Sequence, residues 1–328
     1  MKKIFLVTFF ILISFLVALA GEEQIFLYVD APRVKQLEPN IPVVNCPDDD
    51  ILPRNWRMSA EEFKVKEGDI IPSRTGLDNL NISGSGSFST GQFAKMRNAL
   101  EGKKVIVVDL RQESHIILNN MCISWYNAYN NVNDGKNLSE VLKIEDQLLE
   151  EIKEQKEVFI DLVTDRPVLS DSSTWTILKI PVQVESIMTE EELLNTYNYG
   201  YLRIPVTDHR GPHAEHVDAF IDFYRNLSSD TWLHFHCKAG IGRTTTFMVI
   251  YDMMRNYDKV SAEDIIRRQH ILGGLDLMET EYKDPLKKAW AEDRKKFVFD
   301  FYEYCRQKGP DYKMSWSEWI ILKSPEDR

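Results

Sequence analysis

The sequence predicts an α/β protein with a central, mostly parallel sheet flanked by helices. Three observations carry that expectation. Short apolar, β-branched runs alternate with helical segments, the order that threads parallel strands through crossover helices. The run Lys104-Val105-Ile106-Val107-Val108-Asp109-Leu110 has the make-up of a strand buried on both faces. A second run, 231–236, leads through a glycine-containing turn into a mostly apolar helix over 243–256. With 328 residues and 43% hydrophobic content the chain can bury a large core, as one large domain or two small ones. It contains no internal repeat.

Taken in order, the elements begin with a leader. Lys2 and Lys3 precede an apolar run from Ile4 to Val17 and the small-x-small site Ala18-Leu19-Ala20. Residues 1–20 therefore read as a secretory signal peptide, and the mature chain as secreted or periplasmic. The run is too short for a membrane anchor. Residues 21–52 read as an irregular segment with an exposed acidic turn at Asp48-Asp49-Asp50, and 53–328 as the main domain. Within it, 104–110 is a strand and 139–156 a helix. Residues 157–163 and 174–184 are strands of a β-rich piece around 157–190. Thr189 with Glu192 forms a capping box opening a short helix. A strand over 200–206 and an amphipathic helix over 212–227 follow. After the helix over 243–256, Ser261 with Asp264 caps another to His270. A long helix over 285–307 and the segment holding Trp316 and Trp319 complete the chain.

The formal charge is −11, and removing the two leader lysines makes it −13. Such a chain is a poor candidate for nucleic acid or stable membrane association, and an anionic substrate needs a local basic pocket. No cofactor and no metal site is expected. His234 and His236, the nearest approach to a ligand pair, are expected on opposite faces of their strand with no third ligand spaced to match. The oligomeric state is left open. Of the four cysteines, Cys46, Cys122, Cys237 and Cys305, none shows framework spacing. If Cys237 is a working thiol, at most one pair of the others can form.

The chemistry is concentrated in His236-Cys237-Lys238-Ala239-Gly240-Ile241-Gly242-Arg243-Thr244. A backbone folded round Gly240 and Gly242 directs several N–H groups, from Lys238 through Gly242, to one spot. The following helix adds its positive dipole end. Arg243 supplies a planar two-pronged donor for phosphate oxygens. The same field lowers the pKa of Cys237, whose thiolate is the attacking form. Thr244 can hydrogen-bond that thiolate. A cysteine followed six places later by arginine is weak evidence alone, and a buried cysteine at a strand end is ordinary. The strand before, the two glycines and the helix after give the pattern its weight. An alkoxide leaving group also needs a proton donor. Asp208, in the turn after the 200–206 strand, is the best placed acid, although aspartate in a turn is common.

These residues carry a resemblance. The run from His236 to Thr246 resembles the signature of the protein-tyrosine-phosphatase-like phytases, bacterial inositol polyphosphate phosphatases of the cysteine phosphatase superfamily. The likeness extends to Val108 through His115, Ser124-Trp125-Tyr126, Thr207-Asp208-His209, Trp232 through His236, Arg268-Gln269-His270 and the closing tryptophans. It implies a phosphatase core with a small β-barrel-like piece, and a phosphomonoesterase that removes phosphate from phytate or related inositol polyphosphates through a phosphocysteine. Cys237 is then the nucleophile, Arg243 the phosphate binder and Asp208 the general acid, with His209 and Arg57 touching other substrate phosphates. Lys238 should favour a polyphosphorylated small molecule. The cluster from Asp109 to His115 is expected to be a hydrogen-bonded scaffold. Two departures weigh on hexakisphosphate as the preferred substrate. Lys283, Lys287 and Lys288 are diluted by acids, and Asn130 stands where a relative can carry aspartate. Arg166, Arg210 and Lys283 are candidates to compensate. The rival readings are an exported protein tyrosine phosphatase with the same catalytic residues, a non-catalytic phosphoinositide-binding module, and a sulfur-transfer loop.

Overall fold

The computed structural model describes residues 25–30, 41–65, 68, 70–126, 130–165 and 174–323. The expected leader and Arg166 lie outside them. In chain order the strands are β1 (Ile25–Asp30), β2 (Ile41–Cys46), β3 (Arg57–Met58), β4 (Ile82–Gly86), β5 (Lys104–Asp109), β6 (His115–Leu118), β7 (Met121–Tyr126), β8 (Glu157–Asp165), β9 (Thr174–Gln183), β10 (Ile187–Met188), β11 (Gly200–Arg203) and β12 (Thr231–Cys237). The helices are α1 (Thr90–Ala99), α2 (Leu138–Lys153), α3 (Glu190–Thr196), α4 (Ala214–Arg225), α5 (Gly242–Asn256), α6 (Ala262–Ile271), α7 (Pro285–Lys308) and α8 (Trp316–Leu322).

One sheet runs β11-β5-β12-β4-β3, parallel throughout except at β3. Its central strand, β12, is buried at every position. Leu233, Phe235 and Cys237 join Phe220, Phe247 and Phe301 in the core beneath α4, α5 and α7. Trp232 faces the other way, into a core with Phe93, Met96, Leu193 and Leu194 from α1 and α3. Parallel strands share a carboxyl end. The loops after β5, β11 and β12 therefore open on one side, the usual place for a ligand in such sheets.

The other sheet runs β1-β9-β8-β2-β7-β6-β10, antiparallel apart from β2 and β8, over its own core of Ile116, Ile123, Trp125 and Ile160. The β-rich piece expected around 157–190 is thus larger than its sequence span. Its described pairings leave β1 and β10 as edges, so they form an open sheet and not a closed barrel. The segment 21–52, expected to be irregular, supplies β1 and β2. Asp48 and Asp49 accept hydrogen bonds from Gly91 N (2.8 Å) and Gln92 Nε2 (2.7 Å), so the acidic turn docks at the start of α1.

Strand β4 departs most from sequence expectation. Ile82-Ser83-Gly84-Ser85-Gly86 has little strand character, yet it is wholly buried beside β12. A Cβ on Gly84 would lie 2.6 Å from Met248 Sδ and 2.8 Å from Thr244 Cγ2, so a bare backbone is what lets α5 sit close to the sheet.

The two sheets are joined by buried charge. Glu145 of α2 takes two hydrogen bonds from Arg203 Nη1 of β11 (2.7 and 2.9 Å) and one from His115 N (2.8 Å). Glu145→Ala leaves Arg203 without that partner and should cost about 3–5 kcal/mol in denaturant unfolding. A loss below about 1 kcal/mol would mean that the joint carries no load.

Candidate active site

The site begins where β12 ends. Alternation along the strand puts Cys237 on the α5 face, and the loop 238–241 then turns into α5. Three carbonyls of that loop are held from outside. Arg54 Nη2 donates to Lys238 O, Asn55 Nδ2 to Ala239 O (2.8 Å) and Arg57 Nη1 to Gly240 O (2.7 Å). Ser87 Oγ also donates to Lys238 O (3.2 Å). A trans peptide points its N–H opposite to its C=O, so outward carbonyls turn the N–H groups of Ala239, Gly240 and Ile241 inward. Gly240 N donates to Cys237 Sγ at 3.3 Å. Gly240 has φ +75°, and a Cβ there would lie 2.3 Å from Gly86 N, so conformation and space both demand glycine.

Burial alone would push the Cys237 thiol up. The Arg243 charge and the Thr244 hydroxyl (3.2 Å from Sγ) and amide outweigh it, and the thiol lies below its ordinary value. Arg243 is itself fixed by a buried bidentate pair with Glu113 (2.7 and 3.0 Å) and by Leu110 O and Val206 O. Arg111 Nε holds the same carboxylate at 3.0 Å. Against the cost of burial, the two guanidiniums keep Glu113 far below the usual carboxylate range. Arg243 Nε makes no hydrogen bond among the described residues, and Nη2 reaches Asp208 at 3.2 Å. That edge of the fork is turned toward Asp208.

Asp208 stands over the loop on the turn after β11. Burial raises its pKa, but Arg243, His209 and a hydrogen bond from Asn130 lower it further, so the carboxyl sits below its usual value. Asn130 Nδ2 donates to both Asp208 Oδ2 (2.8 Å) and Glu113 Oε1 (3.0 Å), while its Oδ1 accepts from Lys238 Nζ (3.3 Å). Lys238 Nζ also lies 3.8 Å over the Tyr126 ring. The lysine thereby orients the amide, and the amide presents two protons to two carboxylates. His209 has φ +66°, stacks on Trp290 at 6.0 Å and accepts from Arg294 Nη1 through its carbonyl (3.3 Å). These groups line a cleft of about 350 Å³ with Arg54, Lys287 and Arg294 on its rim.

Three comparisons bear on this arrangement. A family model described as PTP-like phytase, inositol hexakisphosphate, matches residues 108–255. A solved PTP-like phytase from Bdellovibrio bacteriovorus is 30% identical, with 86% of this chain and 95% of that one covered at a TM-score of 0.67. The chain belongs to the PTP-like phytase family. The PTP-like myo-inositol phosphatase of Mitsuokella multacida, solved with myo-inositol-(1,3,4,5)-tetrakisphosphate, is 34% identical over 87% of this chain and 50% of that one, with a TM-score of 0.76. Effector protein hopD2 of Pseudomonas syringae pv. tomato is 30% identical over 248 residues, 74% of this chain and 52% of that protein. The chain thus spans about half the length of the Mitsuokella and Pseudomonas relatives.

Cys237, Lys238, Ala239, Gly240, Ile241, Gly242, Arg243, Thr244, Asp208 and His209 converge on this phytase-family site. Arg57 does not. It is wholly buried behind the loop, bonded to Gly240 O, Asn55 O (3.0 Å) and Thr245 Oγ1 (3.1 Å), so it supports the loop and cannot reach a phosphate in the cleft. Arg54 takes the cleft position instead. The sequence pointed to Arg57 and passed over Arg54, three residues earlier, and only the path of the backbone separates them. Arg294 was missed, because an arginine beside Lys295 and Lys296 on a charged helix reads as solvated surface. Arg210 pairs with Asp134 at 2.8 Å and Lys288 with Glu281 at 3.0 Å, while Lys287 reaches the rim.

The expectation for His234 and His236 also needs correction. Residues two apart on a strand share a face, and the rings lie 6.4 Å apart with planes at 12°. Further acids, distant in sequence, meet them. His236 Nε2 lies 2.7 Å from Glu190 Oε1, His115 Nε2 lies 3.1 Å from Asp109 Oδ2, and Asp109, His115 and Glu190 bring donor atoms within 4.8 Å of one another. Ion-pair separations and matched charges account for the cluster. Despite burial and nearby Arg111, the carboxylates push His115 up to about 10. The segment from Asp109 to His115 is the scaffold its sequence suggested, with Glu113 as the anchor of Arg243.

Asn130→Asp replaces a proton donor to Asp208 with a second carboxylate, which opposes ionisation of Asp208. The limb of the pH–rate profile that reports protonated Asp208 should move to higher pH. An unmoved or lowered limb would show that Asn130 does not govern the acid.

Proposed function

We propose that this chain is a cysteine-dependent phosphomonoesterase acting on phytate or a related inositol polyphosphate. The carrying observation is a cleft lined by Cys237 and Asp208 together with Arg54, Lys238, Lys287 and Arg294, with Arg243 buried beside it and paired to Asp208. The inositol hexakisphosphate family model and the inositol tetrakisphosphate complex of the Mitsuokella relative support the substrate class. The leader read at residues 1–20 supports action outside the cytoplasm.

The geometry supports the following reaction. A substrate phosphate bound at Arg243 and the loop N–H groups displaces the Asp208 carboxylate from its ion pair. Loss of that partner, together with the incoming negative charge, raises the pKa of Asp208 and favours its protonated form. The Cys237 thiolate attacks phosphorus, and Asp208 gives its proton to the departing inositol oxygen. Asp208, now ionised, takes a proton from water, whose oxygen attacks the phosphocysteine. The bond to sulfur breaks, and Thr244 stabilises the returning thiolate. Cys237→Ser should abolish turnover while substrate binding persists, because a hydroxyl does not ionise here.

A tyrosine phosphatase would use the same catalytic residues, and Tyr126 and Tyr282 do line part of the cleft. Lys238, however, already covers Tyr126. The two readings separate in a phosphate-release assay comparing phytate with a phosphotyrosine peptide at equal concentration. Phytate should be the better substrate, and salt should weaken its binding more than that of a monophosphate. Preference for the peptide with equal salt sensitivity would replace this reading by the other.

Asp208→Asn should lower turnover of phytate by roughly 10²–10⁴-fold. An aryl phosphate with an activated phenol needs no protonation to leave. It should give a burst of phenol followed by slow turnover, because hydrolysis still lacks its base. If burst and steady state fall together as far as phytate turnover, the acid lies elsewhere.

A further inference from the structure

Cys46 and Cys122 have no part in this reaction, and both sulfurs are buried. Cys46 ends β2, Cys122 is the second residue of β7, and a bulge between Val44 and Cys46 makes them partners across the antiparallel ladder. Opposed residues in such a pair stand with Cα atoms about 4.5–5.5 Å apart, within the span of a disulfide. The side chains meet as well. The close approach of Cys46 and the charge of Arg111 bring the Cys122 thiol down to about 6 against the effect of burial, while burial pushes Cys46 up. Cys237 and Cys305 belong to the core on the other face of the parallel sheet, so this is the pair the fold brings together.

The pair sits behind the catalytic loop. Cys46 Sγ donates to Ser87 O at 3.0 Å, and Ser87 Oγ donates to Lys238 O. Cys122 Sγ accepts from Arg111 Nη1 at 3.5 Å, and Arg111 in turn holds Glu113. A covalent tie here would join the segment behind the loop carbonyls to the segment behind Arg243.

We propose that Cys46 and Cys122 form a disulfide when the chain folds in an oxidising medium. The oxidant is a small disulfide such as oxidised glutathione. The two protein thiols give up two electrons and two protons, one S–S bond forms in the protein, and the oxidant's S–S bond breaks to yield two thiols. Because both sulfurs are buried in the folded chain, exchange takes place before β2 has docked on β7. The finished bond is then shielded from reductant. It closes a long stretch of chain, which restricts the unfolded state and raises stability.

The test uses full-length Cys237→Ser protein, which keeps the other three cysteines, refolded in mixed reduced and oxidised glutathione. The sample is denatured in N-ethylmaleimide and digested without reductant. The expected result is a Cys46–Cys122 peptide pair about 2 Da lighter than its two free-thiol peptides together, with Cys305 alkylated. Tm should exceed that of the dithiothreitol-reduced protein. Cys46→Ser and Cys122→Ser should each abolish the link. Recovery of Cys46 and Cys122 as alkylated thiols from folded protein, or a link from either to Cys305, overturns the proposal. The same map on protein exported to a bacterial periplasm decides the case if refolding fails. No substrate is used, so the outcome is independent of the phosphatase reading.

Discussion

Everything catalytic in this chain depends on the outward pinning of three successive carbonyls, those of Lys238, Ala239 and Gly240. Left to itself, a glycine-containing loop samples many conformations, and its peptide dipoles point in no common direction. Arg54 and Asn55, from the turn leading into β3, and Arg57, its first residue, each take one carbonyl and so settle the orientation of three peptide planes. Of the inward N–H groups that result, that of Gly240 holds the Cys237 sulfur, and together they can receive an anion. A bare β4 completes the arrangement, because the loop and α5 press against Gly86 and Gly84 at distances that exclude side chains.

Around that loop runs a ladder of alternating buried charges: Arg111, Glu113, Arg243 and Asp208. Each member is held in its charged form by its neighbours in spite of burial, and Asn130 bridges the two carboxylates. The final rung, Arg243 with Asp208, is the one a substrate phosphate can replace. One interaction thus serves two states. It holds the Asp208 carboxyl below its usual value, and its loss to a bound phosphate would raise that carboxyl, as the proposed reaction requires. The rest of the ladder keeps Arg243 oriented throughout, so binding reorganises one ion pair and not the whole network.

Much of the fold was legible because its signals are local. The capping residues Thr189 and Ser261, the apolar run of β5 and the strand–loop–helix around Cys237 declare themselves within a few residues. The strands that escaped notice lack local signal. The buried position of β4 beside β12 follows from helix packing, and its sequence of serines and glycines looks like a loop. Strands β1 and β2 sit in a segment whose prolines suggested irregularity, and they are strands because the larger sheet pairs them.

The sequence by itself picked out Cys237, Arg243 and Asp208, which the fold brings together, since each is marked by residue type and spacing along the chain. Tertiary structure alone decided which arginine faces the cleft. Arg54 and Arg57 are three residues apart, yet one lines the rim and the other is sealed behind the loop. It also decided that Glu113 anchors Arg243, that Asn130 tunes Asp208, and that Cys46 meets Cys122. The physical reason is common to all four. Burial and partner choice depend on strands that are distant in sequence becoming neighbours in a sheet, and no residue carries the identity of its future neighbour in its own local pattern.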